Sequence, residues 1–292
     1  MFSWRYALRA LGSAVRNPGS VLKAARGQDP GAGVFEKRMA EWGRTRGKYA
    51  DRPKRTHGFE MYLNPDDMSQ ISALIATSGW LDPPVTCLLM AKLRAGMQVV
   101  DVGANLGYYT LLAARSVGGS GKVWSFEPEP LNFGLLSKSI RANGFRNVET
   151  IQMALADKGG PRSLFLAPQG EPNAHTLTLD RGVGSLEVAS ISLDEFWRSK
   201  DGPRLDVLKV HVFGDEPIVL SGATRVLEAQ RPMVVTRYGS ERWTEYPRLL
   251  DAVYDWYDVY EFVDSPRLIR QIPRSELVPG VHRGLFWKPK GG

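Results

Sequence analysis

The feature that most constrains the fold is a short apolar segment followed at once by a glycine-rich turn and a helical segment. Residues 97–102 read MQVVDV, residues 103–107 read GANLG, and residues 108–117 read YYTLLAARSV. A β-branched run of this length predicts a buried strand, and the segment after the glycines has a helical pattern. A strand–turn–helix unit of this kind is the building block of a parallel α/β sheet.

The same alternation continues along most of the chain. Further strands are predicted at KVWSFE (122–127), VETIQM (148–153), RSLFLA (162–167), EVASISL (187–193), LDVLKVHV (205–212) and PMVVTRY (232–238). Helices are predicted from Pro130 to Asn143-Gly144, at 215–230 and around 244–256, and the last strands, near 259–263 and 284–288, look like a hairpin. We therefore predict an α/β fold, a three-layer α/β/α sandwich whose mostly parallel sheet has an antiparallel edge.

Composition restricts the class of protein further. Hydrophobic residues make up 43% of the 292 residues and charged residues 24%, which is ordinary for a globular chain with a real core. Cys87 is the single cysteine, so an internal disulfide is excluded and a reducing compartment is favoured. Apolar runs fall short of the roughly 20 residues that a membrane span needs. These features predict a cytoplasmic protein.

The positive charge is concentrated in the N-terminal segment. Residues 1–57 contain 13 Lys/Arg and 4 Asp/Glu, whereas the remainder contains 25 and 27. We predict a basic helix and linker over 1–57 and one domain over 58–292. A nucleic-acid partner is disfavoured because the body of the chain has a slight negative charge. The amphipathic helix predicted over 1–18 is either a peripheral membrane or partner anchor, or it packs on its own domain or on a second copy of the chain.

The glycine-rich turn carries the pattern of a cofactor site. Asp101 ends the first strand, Gly103 and Gly107 frame the turn as D-x-G-x-x-x-G, and Glu127 ends the second strand. A carboxylate 24 positions after Gly103 suits hydrogen bonds to a ribose diol. The glycine spacing differs from the dinucleotide fingerprint, and no Gly-Lys-Ser/Thr of a P-loop follows. This arrangement is typical of S-adenosylmethionine sites, so we predict that cofactor.

Several segments together resemble one family. VVDVGANLGYYTLLAA, WSFEPEP, ETIQMALADKGG, SISLDEF and LKVHVFGDEPIVLSGA are similar to the FkbM family of S-adenosylmethionine-dependent methyltransferases, as is the upstream GFEMYLNPDDMSQISALIATSGWLDP. The resemblance covers roughly residues 58–238. It implies a class I methyltransferase fold and O-methylation of sugars, natural products or related small molecules.

The resemblance also assigns positions in the cofactor site. It implies that the methionine and ribose end is shaped by Asp101, Gly103, Ala104, Asn105 and Gly107. It implies that Glu127 holds the ribose hydroxyls, and that Ala154 lies against the adenine. Asp82 stands near the place of a family glutamate and is counted with the cofactor-binding candidates.

The strand at 205–212 departs from the family pattern. Where the family typically has Lys-Ile-Asp-Val-Glu-Gly-Ala-Glu, residues 209–216 read KVHVFGDE. His211 and Phe213 therefore replace two acids, while Lys209 and Glu216 match the pattern. We expect no metal site here, because hard cations need clustered carboxylates. The candidate catalytic residues are Lys209, His211 and Glu216.

His211 admits two interpretations. It is either the general base that takes the acceptor's hydroxyl proton, or a residue that fills space and hydrogen-bonds the backbone. Lys209, His211 and Arg237 near one another would favour an anionic acceptor, such as a carboxylated or phosphorylated sugar or glycan. An alternative function is a catalytically impaired scaffold subunit that still binds the cofactor. The possible partners also include a second copy of the chain.

Overall fold

The structure, a computed structural model, describes residues 32–67, 71–168, 175–263, 269–278, 281 and 283–291. The N-terminal part of this range is helical, with a short hairpin. It consists of α1 (Ala32–Thr45), a 3-10 turn (Arg46–Tyr49), β1 (Lys54–Thr56), β2 (Phe59–Met61), α2 (Ile71–Ser78) and α3 (Pro83–Lys92). The helix predicted over 1–18 lies outside the described residues.

Strands and helices then alternate as the sequence predicts. The first units are β3 (Gln98–Val102), α4 (Tyr108–Val117), β4 (Lys122–Phe126), α5 (Pro130–Ala142) and β5 (Val148–Ile151). Three strands and a helix follow: β6 (Ala154–Leu155), β7 (Gly160–Phe165), β8 (Ser185–Ile191) and α6 (Leu193–Ser199). The chain continues through β9 (Val207–Val210), α7 (Glu216–Ser221), α8 (Thr224–Gln230), β10 (Met233–Tyr238), α9 (Pro247–Trp256), β11 (Tyr257–Phe262), β12 (Ile269–Gln271) and β13 (Arg283–Pro289).

The main sheet has eight strands in the order β12-β11-β13-β10-β9-β3-β4-β5. Strands β10, β9, β3, β4 and β5 are parallel neighbours, while β13 pairs antiparallel with β10 and β11, and β12 pairs antiparallel with β11. The connection through α4 runs from β3 to β4, whereas β9 lies on the other side of β3. The strand order therefore reverses between β3 and β9, where open α/β sheets bind their ligands.

Both faces of the sheet are covered by helices. Val100, Trp124 and Leu208 pack on one face with residues of α6, α7, α8 and α9. Val99, Val123 and Val207 pack on the other face with residues of α1 to α5. Strands buried on both faces explain the nearly continuous apolar runs in the sequence. The predicted three-layer α/β/α sandwich is confirmed.

Two predicted elements differ in detail. The strands at 162–167 and 187–193 belong to a separate three-stranded sheet, β6-β8-β7, rather than to the main sheet. The helix predicted over 215–230 is divided into α7 and α8 at Gly222. A side chain at Gly222 would overlap the carbonyl oxygen of Ala156. The Asp194 carboxylate accepts hydrogen bonds from the backbone of Arg225 (3.1 Å) and Val226 (2.9 Å), which caps α8.

The expected domain boundary at 57/58 lies between β1 and β2, which pair with each other. Trp42 of α1 is fully buried in the core cluster that includes α2 and α3, and its indole N–H donates to Asp67 O at 2.8 Å. Asn143 accepts from Glu60 N at 2.8 Å, which ties the hairpin to α5. Residues 32–57 thus belong to the folded domain.

Among the described residues, no single helix has both the length and the apolar character to cross a bilayer. The consecutive helices α2 and α3 meet that test when taken together, but they are bent by 68° relative to each other.

Candidate active site

The turn after β3 packs directly against the end of β9. Gly103 has φ +68°, and a side chain there would overlap the carbonyl oxygen of His211. The backbone N–H groups of Gly103 and Ala104 both donate to Phe126 O of β4, at 3.1 and 3.0 Å. Asn105 has φ +53°, which asparagine tolerates better than most residues. The turn therefore lies across the carboxyl ends of three neighbouring strands, and glycine is required where it touches β9.

Glu127 holds this turn from the end of β4. Its carboxylate accepts from Asn105 N at 2.7 Å and from Glu129 N at 3.1 Å. The side chain is buried, and burial raises its pKa from 4.5 to about 7 despite these two hydrogen bonds. A carboxylate at this position can accept hydrogen bonds from ribose hydroxyls, which is the role predicted for Glu127.

Asp101 and Lys209 form a buried ion pair beneath the turn. The Lys209 ammonium lies 2.9 Å from Asp101 Oδ1 and donates to Gly103 O at 3.1 Å. Asp101 Oδ2 accepts from the Thr110 hydroxyl at 2.7 Å. Lys209 therefore joins β9 to the glycine-rich turn, and its charge is neutralised by Asp101. The predicted catalytic role of Lys209 remains a prediction; its contacts are those of a positioning residue.

His211 and Arg237 share the face of the sheet on which Lys209 lies. Lys209 is paired with Val235 in the β9–β10 register, so His211 and Arg237, two residues further along each strand, are neighbours. The pKa of His211 is held well below its usual value by burial, and then by the positive charges of Arg237 and Lys209. Among the described residues, no hydrogen bond is made to the His211 ring. His211 is therefore neutral at neutral pH, with a ring nitrogen that can accept a proton.

Asp82 faces this pair from the start of α3. Its carboxylate lies 3.6 Å from the Arg237 guanidinium, and it occupies an unusual left-handed backbone conformation with φ +41°. Burial raises the pKa of Asp82, while Arg237 opposes that shift. Asp82 thus lies beside Arg237, one of the three residues expected to favour an anionic acceptor. The two cations predicted at this edge each have a carboxylate partner, so the local positive charge is smaller than the sequence suggested.

Glu216 and Asp215 fix the turn between β9 and α7. The Glu216 carboxylate accepts from Val212 N at 3.1 Å and Gly214 N at 2.9 Å. Asp215 accepts from Leu177 N at 2.6 Å and from the Thr178 hydroxyl. Both acids are almost completely buried. Glu216 therefore has a clear structural contact set, and its predicted catalytic role is untested.

The remaining predicted positions fall in two places. Asp101, Gly103, Ala104, Asn105, Gly107 and Glu127 all surround the ends of β3 and β4. Gly107, with φ +95°, begins α4 and would clash with Leu136 if it carried a side chain. Ala154 lies in the small sheet, packed with Leu164 and Val188. Its contact with adenine stays a prediction. Among the described residues, no group of three His, Cys, Asp or Glu side chains could hold a metal ion.

Sequence reasoning missed Tyr109 and Thr110, the second and third residues of α4. The Tyr109 ring lies 5.2 Å from the Lys209 ammonium, and its hydroxyl donates to Leu81 O at 3.3 Å, next to Asp82. Thr110 completes the Asp101 network. Their position just after Gly107 is visible in the sequence. The packing of α4 decides which of its side chains face β9, and the sequence does not show that packing.

A sheet of this order, a glycine-rich turn after the first parallel strand and an acid at the end of the second define the class I S-adenosylmethionine-dependent methyltransferases. Residues 101–262, more than half of the chain, match the family model described as methyltransferase FkbM domain. The chain belongs to this family, and its cofactor is S-adenosylmethionine.

Individual relatives cover parts of the chain. Hexuronic acid methyltransferase AglP of Haloferax volcanii is 31% identical over 149 residues, which are 51% of this chain and 59% of that protein. Methyltransferase sdnD of Sordaria araneosa is 26% identical over 47% of this chain and 64% of its own length. The matches thus span less than two thirds of both relatives. The crystal structure of a methyltransferase FkbM from Methylobacillus flagellatus KT is 14% identical, with a TM-score of 0.43 over 84% of this chain and 58% of that one.

Proposed function

We propose that this protein transfers a methyl group to a hydroxyl of a sugar or a related small molecule, without a metal ion. The observation that carries this proposal is the position of His211. Its ring is neutral at neutral pH and lies beside the point where the order of the parallel strands reverses. A hexuronic acid methyltransferase among the relatives supports a sugar acceptor. The slight negative charge of residues 58–292 argues against nucleic acid as the acceptor.

The chain's own residues account for the proton. S-adenosylmethionine, when bound, supplies a methyl group already activated by a sulfonium sulfur. The neutral His211 ring would accept the proton that the acceptor's hydroxyl gives up when it is methylated. Its lowered pKa keeps it unprotonated at neutral pH, and aligning the acceptor is the larger part of the catalysis. Lys209 and Asp101 hold the end of β9 in place.

Arg237 supports a negatively charged acceptor. Its side chain is 53% exposed, so the guanidinium can be reached from solvent while one side faces Asp82. A guanidinium has five donors in a planar fork that suits a carboxylate or phosphate. We therefore include sugar acids among the acceptors to be tested, together with neutral sugars as the comparison.

The proposed function is tested by cofactor titration followed by an acceptor screen. Purified protein is titrated with S-adenosylmethionine and S-adenosylhomocysteine, and release of S-adenosylhomocysteine is then measured with uronic acids, phosphorylated sugars and neutral sugars. Release with a sugar supports the proposal, and preference for the acids supports the role of Arg237. Tight binding with no release on any acceptor would contradict it and favour the scaffold alternative.

A further inference from the structure

Phe213 occupies an unfavourable backbone conformation on the surface. Its φ is +51°, and its side chain is 49% exposed, among the largest exposures of an apolar residue in the described part of the chain. Phenylalanine is strained in this left-handed conformation, whereas glycine would adopt it without strain. Local strain of this kind persists when the surrounding structure enforces it, and it clusters at functional sites.

Two buried carboxylates enforce the strained turn. Glu216 binds the backbone N–H groups on both sides of Phe213, at Val212 and Gly214. Asp215 binds the segment that begins at Leu177 and so fastens it to the same turn. The backbone that carries the exposed phenyl ring is therefore fixed by hydrogen bonds on both sides of Phe213.

The position of Phe213 relates it to the acceptor. It follows His211 by two residues, at the end of β9 where that strand meets the turn of Gly103. The Arg181 guanidinium lies 5.3 Å from the centre of the Phe213 ring, a cation–π contact. Phe213 thus follows the candidate base by two residues, with its ring exposed and a cation beside it.

We propose that Phe213, with Arg181 beside it, is a platform that binds a pyranose ring of the acceptor. One face of a pyranose presents C–H bonds, which match the negative face of an aromatic ring and bury apolar surface on it. The guanidinium adds a charged donor at the edge of the platform, which suits sugar hydroxyls and a uronate carboxylate. This inference rests on the proposed sugar methylation, and names how the sugar is held.

Binding to the cofactor-product complex tests the platform directly. Protein saturated with S-adenosylhomocysteine is titrated by calorimetry with methyl glucuronide and methyl glucoside. Phe213→Ala should weaken sugar binding about tenfold, and Phe213→Tyr should retain it. Affinity for S-adenosylhomocysteine should be unchanged in both variants. The matched control is Trp256→Ala, which removes the aromatic partner of Arg231 at a distance of 5.2 Å, near the amino ends of β10 and β11.

Stability separates a binding role from a structural one. Phe213→Asn places a residue that tolerates positive φ at the strained position, so its Tm should equal or exceed that of the wild type while sugar binding is lost. A fall in Tm with unchanged sugar affinity would overturn the platform. Sugar binding that is equal in wild type and Phe213→Ala would overturn it while leaving the proposed function intact. If the wild type neither binds nor methylates any sugar, the proposed function fails as well.

Discussion

At the scale of single residues, Glu127 links cofactor binding to pH. Its folded-state pKa of about 7 is higher than the unfolded value of 4.5, so the folded state binds this proton more tightly. Its contribution to the free energy of unfolding is full below pH 4.5 and is lost as pH rises through about 7. In the role predicted for Glu127 the ionised form accepts hydrogen bonds from ribose, so the cofactor should bind that form preferentially.

We therefore predict that affinity for S-adenosylhomocysteine rises about tenfold between about pH 6 and about pH 8. Glu127→Gln should bind more weakly, by roughly 1.5–3 kcal/mol relative to the ionised wild type, and should show no such pH dependence. Calorimetric titration at several pH values measures both. Wild-type affinity that does not change across this range would contradict the role of Glu127.

His211 gives the second prediction at this scale. His211→Ala should lower kcat on the proposed sugar acceptor by about 10²–10⁴-fold, because it removes the proposed acceptor of the hydroxyl proton. S-adenosylhomocysteine affinity should be unaffected, which a parallel titration checks. Unchanged turnover would assign His211 to packing. Because His211 has a lowered pKa, wild-type kcat at saturating S-adenosylmethionine should remain constant as pH falls to about 6.5, its ordinary value, and decrease only below it.

The candidate site was predictable from sequence where it depends on neighbouring strand ends. Gly103, Gly107 and Glu127 follow predicted strands directly, so parallel pairing alone brings them together. The contact between Asp82 and Arg237 was not predictable, since it joins α3 to β10, more than 150 positions apart in sequence. Nor could the sequence show that Glu216 turns back to bind the backbone on both sides of Phe213.

At the scale of elements, the contact between the glycine-rich turn and β9 determines the geometry of the site. Gly103→Ala should destabilise the fold by about 2–4 kcal/mol, because it combines positive φ with overlap on a backbone oxygen. Gly144→Ala is the matched control: Gly144 has a similar φ of +64°, but a side chain there meets no atom within 4 Å. It should cost only about 1 kcal/mol. Chemical denaturation measures both, and equal losses would show that the contact with His211 is unimportant.

The burial and the pairing of each element explain whether the sequence could predict it. Strands β3, β4, β9 and β10 are mainly apolar because most of their residues on both faces are buried, so their pattern is plain. The insertion of β13 between β10 and β11 was not predictable, since strand pairing of this range leaves no local signal. The break at Gly222 was missed because the apolar spacing continues through it, and a close approach to the Ala156 backbone causes it.

At the scale of the whole molecule, the start of the folded domain does not coincide with the end of the basic N-terminal segment. The basic composition suggested a helix and linker over 1–57, but buried residues within this segment attach 32–57 to the domain. Trp42 is fully buried, and the Tyr108 hydroxyl at the start of α4 lies 2.8 Å from His57 Nε2. Composition reports average polarity, whereas one buried tryptophan is enough to fix a helix on the core.

A truncation series tests this division. A chain beginning at residue 32 should keep the wild-type Tm and bind S-adenosylhomocysteine normally. A chain beginning at residue 58 should lose most of its stability, since removing Trp42 alone is expected to cost about 3–5 kcal/mol. Trp42→Ala in the full chain is the matched variant. Equal stability of the two truncated chains would restore the boundary that the charge pattern suggested.

The chain beginning at residue 32 also tests the anchor hypothesis for residues 1–18. Cosedimentation with vesicles that contain anionic lipid compares the full chain with the chain beginning at residue 32. An amphipathic helix with arginines on its polar side predicts binding that requires anionic lipid, weakens with salt and is lost on truncation. Vesicle binding that survives the truncation would place the membrane contact on the folded domain. Absence of binding by both chains would favour packing of that helix on its own domain or on a second copy.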